Sequence, residues 1–170
     1  MSELLDKILH KDNMNEAYKK VCANKGAGGV DGVSTEELGE YIKAHWSTIK
    51  EQILRREYKP QPVRRVEIPK PNGGKRKLGI PTAMDRVIQQ AIVQVIGPIC
   101  DPHFSEFSYG FRPNRSCEMA IRKVLEYLNE DYTWIVDIDL EKFFDNVPQD
   151  RLIVVRQIRI TTNSQIIYSQ

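Results

Sequence analysis

Apolar side chains near the amino terminus recur at the spacing of amphipathic helices. The first helix is predicted from four apolar positions at helical spacing: Leu4, Leu5, Ile8 and Leu9. Asn13 and Glu16 then form a pattern typical of a capping box, which predicts that a second helix begins at Asn13 and ends near Asn24.

A glycine-rich segment separates the second predicted helix from the third. Four glycines fall within NKGAGGVDGVS, a density that no packed element tolerates, so we predict a loop that moves or approaches a ligand closely. Ser34 and Glu37 then predict the start of a third helix that reaches Leu54. His45 falls within its apolar stripe, and we interpret it as a packed residue rather than a catalytic base.

Two β-compatible runs follow, Val63–Pro69 and Lys75–Ile80, joined by Pro-Asn-Gly-Gly. An Asn-Gly turn between such runs predicts a β-hairpin. The alternation of apolar and charged residues along the strands predicts that one face of the hairpin packs and the other carries charge. The basic side chains would then project into solvent or onto a ligand: Arg64, Arg65, Lys70, Lys75, Arg76 and Lys77.

The second half of the chain predicts two more helices and a strand. Thr82 is the expected N-cap of a deeply buried helix that Pro98 ends. A loop over 103–115 precedes a helix from about Ser116, whose apolar residues are expected to face inward. The segment from Trp134 to Leu140 predicts a central strand with its two aspartates on one face.

Asp137 and Asp139 stand two residues apart on that predicted strand, so their carboxylates would converge on one volume. Carboxylate oxygens suit a hard cation such as Mg²⁺. The alternative is an aspartate at the end of a strand that accepts hydrogen bonds from backbone donors. The glycine-rich segment could cradle phosphates, but it lacks the Lys-Ser/Thr of a P-loop.

Composition narrows the class of protein. The 170 residues are 41% hydrophobic and 28% charged, which excludes wholesale disorder. No apolar run approaches the roughly 20 residues that span a bilayer, so we expect no membrane partner. The amino terminus resembles neither a secretory signal nor a transit peptide. Three cysteines without C-x-x-C spacing favour buried free thiols in a cytoplasmic protein.

The net charge of +2 conceals a strong asymmetry. Nine bases and two acids between Arg55 and Lys77 give +7, whereas eight acids and one base between Glu126 and Asp150 give −7. This separation favours a polyanion on one side and cations on the other. The alternative is two ordinary solvated faces.

Three segments in order, VRRVEIPKPNGGKRKLGIPTAMDRVIQQAI, SYGFRPNRS and WIVDIDLEKFFDNV, resemble the fingers and early palm of group II intron reverse transcriptase/maturases. The resemblance covers roughly Leu4–Ile153. It implies an α+β fold: helix-rich fingers, a basic β-hairpin and the first strand or strands of a polymerase palm. It also implies an RNA-directed DNA polymerase, in which two divalent ions, here Mg²⁺, support nucleotidyl transfer.

The resemblance implies a role for individual residues as well. Asp139 resembles the first catalytic metal ligand, and Phe144 the aromatic residue that stacks under the incoming sugar and excludes a ribose 2′-OH. Lys70 and Arg76 resemble the fingertip residues on the triphosphate. The remaining implied contacts are Ile80 near the nascent base pair, Arg64 near the template, and Gly28 and Gly29 in a loop that acts as a lid over the template.

One departure concerns the second metal-binding motif of that family, an aromatic-x-Asp-Asp turn. The sequence contains no Asp-Asp pair, and 154–170 is atypical and polar. We therefore expect an N-terminal portion that is inactive alone. The expected divisions are an extension with the glycine loop (1–33), fingers (34–130), the start of the palm (131–153) and the tail (154–170).

Two functions follow as hypotheses. The first is the N-terminal portion of an RNA-directed DNA polymerase whose partners are template or intron RNA, an RNA–DNA duplex and dNTP. Its RNA contacts would include Arg65, Lys75 and Lys77, by charge. The second is an RNA-binding, self-associating module without a catalytic role, because a lobe apart from its palm exposes apolar surface that favours a homodimer.

Overall fold

The structure is a computed structural model that describes residues 3–71, 73–140 and 143–148. The chain divides into two compact units, Met1–Cys117 and Glu118–Gln170. In its described residues, the first unit contains four α-helices, a β-hairpin and a short 3₁₀ turn. Within the described residues, no helix is long and apolar enough to cross a bilayer. The expected α+β class, rich in helix and with a basic hairpin, is confirmed.

The core of the first unit lies where α1 (Glu3–Ile8) and α2 (Lys11–Ala23) pack against a later helix, α4 (Ala83–Cys100). Apolar side chains at helical spacing on α2 and α4 fill it, as the sequence pattern predicts. The most deeply buried members on these helices are Ala17 on α2, and Ala83, Met84, Val87 and Ala91 on α4.

The predicted start of α2 is wrong by two residues. The helix begins at Lys11, and the His10 side chain accepts a hydrogen bond from the Asp12 N–H in the place of the expected Asn13 cap. Asn13 instead uses its amide for tertiary contacts. Its Nδ2 donates to the carbonyl oxygens of Ile8 (2.8 Å) and Ala91 (3.0 Å). This side chain therefore links α1 and α2 to α4, and α2 ends before Asn24 as predicted.

Both hydrogen bonds of the predicted capping box are present, but the prediction that this box opens the helix is wrong, because α3 begins after Glu37. Ser34 Oγ accepts from the Glu37 N–H at 3.2 Å, and Glu37 Oε2 accepts from the Ser34 N–H at 3.1 Å. The helix itself runs from Leu38 to Leu54. His45 is exposed and lies beside Tyr41, with 4.6 Å between the ring centroids. The prediction that His45 is packed in the core is wrong, because it lies at the solvent edge of the stripe.

The hairpin consists of β1 (Arg64–Pro69) and β2 (Lys75–Ile80), paired antiparallel as the sequence predicts. The prediction that one face packs is only partly right. Val66 and Ile80 are half-buried, but Ile68 and Leu78 remain exposed. Among the described residues neither strand runs alongside a helix, so no element covers that face.

Helix α4 begins as predicted, with Thr82 Oγ1 accepting from the Asp85 N–H at 3.1 Å. Its end and its burial differ from the prediction. Pro98 lies inside the helix, which continues to Cys100 and is capped where the Asp101 N–H donates to the Gly97 carbonyl. Only the first half is deeply buried, since Val93 is 60% exposed.

The loop after α4 is confirmed and is organised by Arg112. Its Nε donates to Asp101 Oδ1 at 2.8 Å, and Nη1 donates to the Ser105 carbonyl at 2.7 Å and the Ser108 carbonyl at 3.1 Å. Its guanidinium also lies over the Phe104 ring. The hydrogen bond from Arg112 holds the pKa of Asp101 below its usual value. We interpret Arg112 as structural.

In the second unit, α5 spans Cys117–Asn129 and a short helix, α6, spans Phe143–Asn146. The helix after about Ser116 is confirmed, but its apolar residues do not face inward. They are exposed in the described structure: Ile121, Val124, Leu125 and Leu128. The three cysteines are free as predicted, but none is fully buried, since Cys22 and Cys100 are half-buried and Cys117 is exposed.

The predicted strand from Trp134 to Leu140 is wrong for the described structure. These residues have no regular secondary structure, and Trp134 is 94% exposed. An extended segment becomes a strand only when a second strand satisfies its backbone groups. No such partner lies among the described residues, where the one sheet is the two-stranded hairpin. The atypical tail over 154–170 lies outside the described residues.

Candidate nucleic-acid interface

The register of the hairpin divides its basic residues between two faces. Residues directly opposite each other in an antiparallel pair share a face, and alternate residues along a strand share a face. Glu67 pairs with Lys77, and Pro69 with Lys75, so Arg65, Lys75 and Lys77 lie on one face. We call these three residues the cationic face. All three side chains are exposed.

One acid lies on the cationic face. Glu67 Oε2 is 2.8 Å from Lys75 Nζ, and both side chains are solvent-exposed, so this ion pair adds little stability. Three bases and one acid leave the face with a charge of +2. A phosphate backbone brought to this face would meet exposed cations, and little free energy would be lost if Lys75 exchanged Glu67 for a phosphate.

The opposite face combines cations with aliphatic side chains. Arg64 lies opposite Ile80, and Arg76 lies opposite Ile68. Between them is the pair of Val66 and Leu78. The expected RNA contacts therefore do not share one surface, since Arg64 lies with Arg76 and not with Arg65.

The remaining expected nucleotide contacts lie far apart on the hairpin. Lys70 is in the turn, where its N–H donates to the Gly74 carbonyl and its carbonyl accepts from the Gly73 N–H. Ile80 is at the other end of β2, roughly 17 Å from Lys75 at the usual rise per residue. Lys70 and Arg76 are therefore near the tip, whereas Ile80 is at the base of the hairpin. Their nucleotide contacts stay predictions.

The glycine-rich loop packs against the start of α4. A Cβ atom on Gly29 would lie 2.6 Å from the Thr82 Cα, and this clash could not be relieved without moving the backbone at Thr82. A Cβ atom on Gly28 would lie 2.9 Å from the Val33 carbonyl oxygen. Arg86 Nη2 also donates to the Ala27 carbonyl at 2.9 Å. The close approach that these glycines allow is therefore to the protein itself, and their contact with RNA stays a prediction.

Asp85 is the buried residue that joins these segments. It is 3% exposed, and its carboxylate accepts from Tyr58 Oη (2.7 Å), the Gln61 N–H (3.1 Å) and Thr82 Oγ1 (2.6 Å). Tyr58, Gln61 and Thr82 also line a cavity of about 300 Å³ between the glycine-rich loop, α3 and the start of α4. Sequence reasoning identified the Thr82 cap but missed the three-donor cluster, because Tyr58 and Gln61 belong to a segment without a pattern.

Burial, together with the hydrogen bond to Asp85, raises the pKa of Tyr58 well above its usual value. The folded protein therefore favours the protonated phenol. The contribution of the Tyr58 phenol to the free energy of unfolding is fully present below about pH 10, the usual tyrosine pKa. It is lost as the pH rises from there toward the pKa of Tyr58 in the folded protein.

Unfolding by urea, measured from pH 8 to pH 11, should therefore show a loss of stability at alkaline pH that Tyr58→Phe reduces. Tyr132→Phe serves as the control, because Tyr132 is 63% exposed. An equal alkaline loss in the wild type and in Tyr58→Phe would contradict the assigned cause.

The expected metal ligand lies in the second unit. Asp139 is exposed, and its Oδ1 accepts from the N–H of Leu140 at 2.9 Å. This is the backbone contact that the alternative interpretation of the aspartate requires. In the described part of the chain, no group of three or more histidine, cysteine or carboxylate side chains could hold a metal ion. The described residues therefore do not form a complete site for Mg²⁺. Phe144 is in α6, and its side chain lies outside the described part.

Comparisons with known proteins identify the family of the chain. A family model described as reverse transcriptase (RNA-dependent DNA polymerase) matches residues 68–169. The chain is 36% identical to Protein YkfC of Escherichia coli over 167 residues, which covers 95% of this chain and 44% of YkfC. It is also 36% identical to the group II intron-encoded protein LtrA of Lactococcus lactis over 171 residues, with 95% and 27% covered.

A third relative, from yeast, is also similar over most of this chain. The putative COX1/OXI3 intron 2 protein of Saccharomyces cerevisiae is 33% identical over 146 residues, which is 85% of this chain and 17% of that protein. The chain belongs to the reverse transcriptase family. The proteins to which it is similar include one that is described as group II intron-encoded. The chain spans less than half the length of each of these relatives.

Proposed function

We propose that this chain is the fingers and partial-palm portion of an RNA-directed DNA polymerase, and that it holds template or intron RNA through its hairpin. The observation that carries the proposal is the cationic face, on which Arg65, Lys75 and Lys77 are exposed side by side. Contacts of this kind go to phosphates, so they position a nucleic acid without reading its sequence.

We propose a different ligand for each face of the hairpin. The cationic face matches a run of backbone phosphates, because its bases are distributed over both strands. Arg76 on the other face and Lys70 in the turn are near the tip, where they could bind the triphosphate of a dNTP. Charged hydrogen bonds from arginine and lysine are the usual means of holding such a group.

Two-metal catalysis requires more carboxylates than the described residues bring together. Asp139 is proposed as one metal ligand of the complete enzyme. The sequence contains no Asp-Asp pair to resemble the second ligand motif of the family. We therefore expect no template-directed DNA synthesis by the 170-residue chain alone. Primer extension by the purified chain in Mg²⁺ would contradict this expectation.

A second candidate is an RNA-binding module that self-associates and takes no part in catalysis. The exposed apolar stripe on α5 favours it, since Ile121 and Leu125 are 58% and 52% exposed. A patch of this kind commonly marks a contact surface. Sedimentation of the chain at several concentrations would reveal a homodimer, and DNA synthesis by a complete protein would exclude a role without catalysis.

Replacement of the cationic face by alanine should weaken binding to many single-stranded RNAs by a similar factor. Because the variant has three fewer cations to neutralise phosphates, the slope of log K against log salt should fall by about 2. The measurement is fluorescence anisotropy with several unrelated RNAs over a range of salt concentrations.

The matched control removes three exposed lysines from the helices: Lys11, Lys19 and Lys50. It lowers the total charge equally but leaves the hairpin intact, so its salt slope should stay near the wild-type value. Equal effects of the two triple variants would mean that net charge, and not the hairpin, binds RNA. Loss of binding to one RNA alone would mean that the hairpin reads sequence.

A further inference from the structure

The hairpin receives little support along its length. Its two strands pair with each other, and among the described residues neither strand runs alongside a helix. Ile68 and Leu78 on the less charged face remain exposed. An isolated two-stranded hairpin is marginally stable in water. The direction in which it projects must therefore be set mainly where it joins the rest of the first unit.

Both ends of the hairpin meet at Asp85. Gln61 lies three residues before β1, and its N–H donates to Asp85 Oδ2 at 3.1 Å. Thr82 lies two residues after β2, and its hydroxyl donates to the same oxygen at 2.6 Å. Tyr58, further back on the entering segment, donates to Oδ1 at 2.7 Å. One carboxylate thus links the segment that enters the hairpin to the segment that leaves it.

Both oxygens of the Asp85 carboxylate accept hydrogen bonds in the cluster. The donors are the Gln61 N–H and the hydroxyls of Tyr58 and Thr82, and a carboxylate offers them two acceptor atoms. The side chain is almost completely buried, where hydrogen bonds must compensate for the lost hydration. The first turn of α4 adds the favourable end of the helix dipole. An amide of the same shape would bring a donor toward groups that themselves donate.

We propose that Asp85 is a positioning residue, which holds the base of the hairpin so that its basic side chains are arranged for RNA and nucleotide before either binds. The effect on RNA binding rests on the proposed function, whereas the arrangement of the hairpin can be measured without RNA. A pre-arranged hairpin binds more tightly, because less conformational freedom is lost on binding.

The first variant for the test is Asp85→Asn. The Asn amide retains one acceptor oxygen and replaces the other with an NH2 donor. At most two of the three donors then keep an acceptor, and Tyr58 Oη must change from donor to acceptor. The matched control is Val87→Ala, which creates a cavity on the next turn of the same helix, since Val87 is 1% exposed. Tyr58→Phe removes one donor only, and it provides the test if Asp85→Asn does not fold.

The first measurement is amide hydrogen exchange of the unbound 170-residue chain, followed by mass spectrometry of peptides from the hairpin and from α2. We expect Asp85→Asn to accelerate exchange in the hairpin more than Val87→Ala does, with the comparison normalised to the exchange of α2. Tyr58→Phe should show the same selectivity to a smaller degree. Equal ratios of hairpin to α2 exchange in the variants and in the control would overturn the proposal.

The second measurement is the affinity for RNA at a temperature where all variants are folded. A loosened hairpin should weaken binding about tenfold in Asp85→Asn, against less than about twofold in Val87→Ala. Selective hairpin exchange without a change in affinity would overturn the functional part of the Asp85 assignment. If the wild type binds no RNA, the proposed function fails, while the exchange experiment still tests the position of the hairpin.

Discussion

DNA synthesis is expected to fall by about three orders of magnitude when Asp139→Ala is introduced into a complete polymerase that contains this chain. The reason is the loss of a proposed carboxylate ligand of the divalent ions that the chemical step requires. A suitable complete protein is a hybrid in which this chain replaces the segment of LtrA that it matches. The measurement is single-turnover primer extension on an RNA template.

The control for Asp139→Ala is Glu130→Ala. Glu130 is also exposed and lies directly after α5, so its removal changes the charge equally. We expect a much smaller loss of synthesis from this variant. Synthesis close to the wild-type rate in Asp139→Ala would show that the ligand assignment is wrong, and equal losses in both variants would show that Asp139 has no special role.

Leu38→Ala should lower the free energy of unfolding of the chain by about 2–5 kcal/mol. Leu38 is completely buried at the first position of α3, where it packs into the core of the first unit. Removal of its side-chain carbons reduces the apolar surface buried on folding and leaves a cavity. Urea unfolding monitored by circular dichroism gives the difference.

A matched aliphatic control for Leu38→Ala is Val93→Ala on α4. Val93 is 60% exposed, so we expect a change within about 0.5 kcal/mol of the wild type. A similarly small effect of Leu38→Ala would mean that the core of the first unit is not as described.

Local signals in the sequence predicted the features that depend on neighbouring residues. The turn before Gly73 specified the hairpin and its strand bounds, because Gly73 adopts a positive φ of 82° that glycine allows. Thr82 specified the start of α4 in the same way, since an N-cap bonds within its own first turn. The division of Arg64 and Arg65 between two faces follows once the register is known.

Features that depend on distant residues could not be predicted in this way. Asn13 has the local pattern of a cap, but its amide is engaged 78 residues away by Ala91. The segment from Trp134 has the alternation of a strand, but a strand also requires a pairing partner. Asp85 gains its role from Tyr58 and Gln61, which no pattern connects to it.

The hairpin is the proposed place where this chain contacts RNA. Photochemical cross-linking of the 170-residue chain to single-stranded RNA containing 4-thiouridine tests this directly, with the attached peptides identified by mass spectrometry. Most cross-links should fall between Arg64 and Ile80, and alanine at Arg65, Lys75 and Lys77 should remove them. Cross-links that map elsewhere and persist in that variant would contradict the proposal.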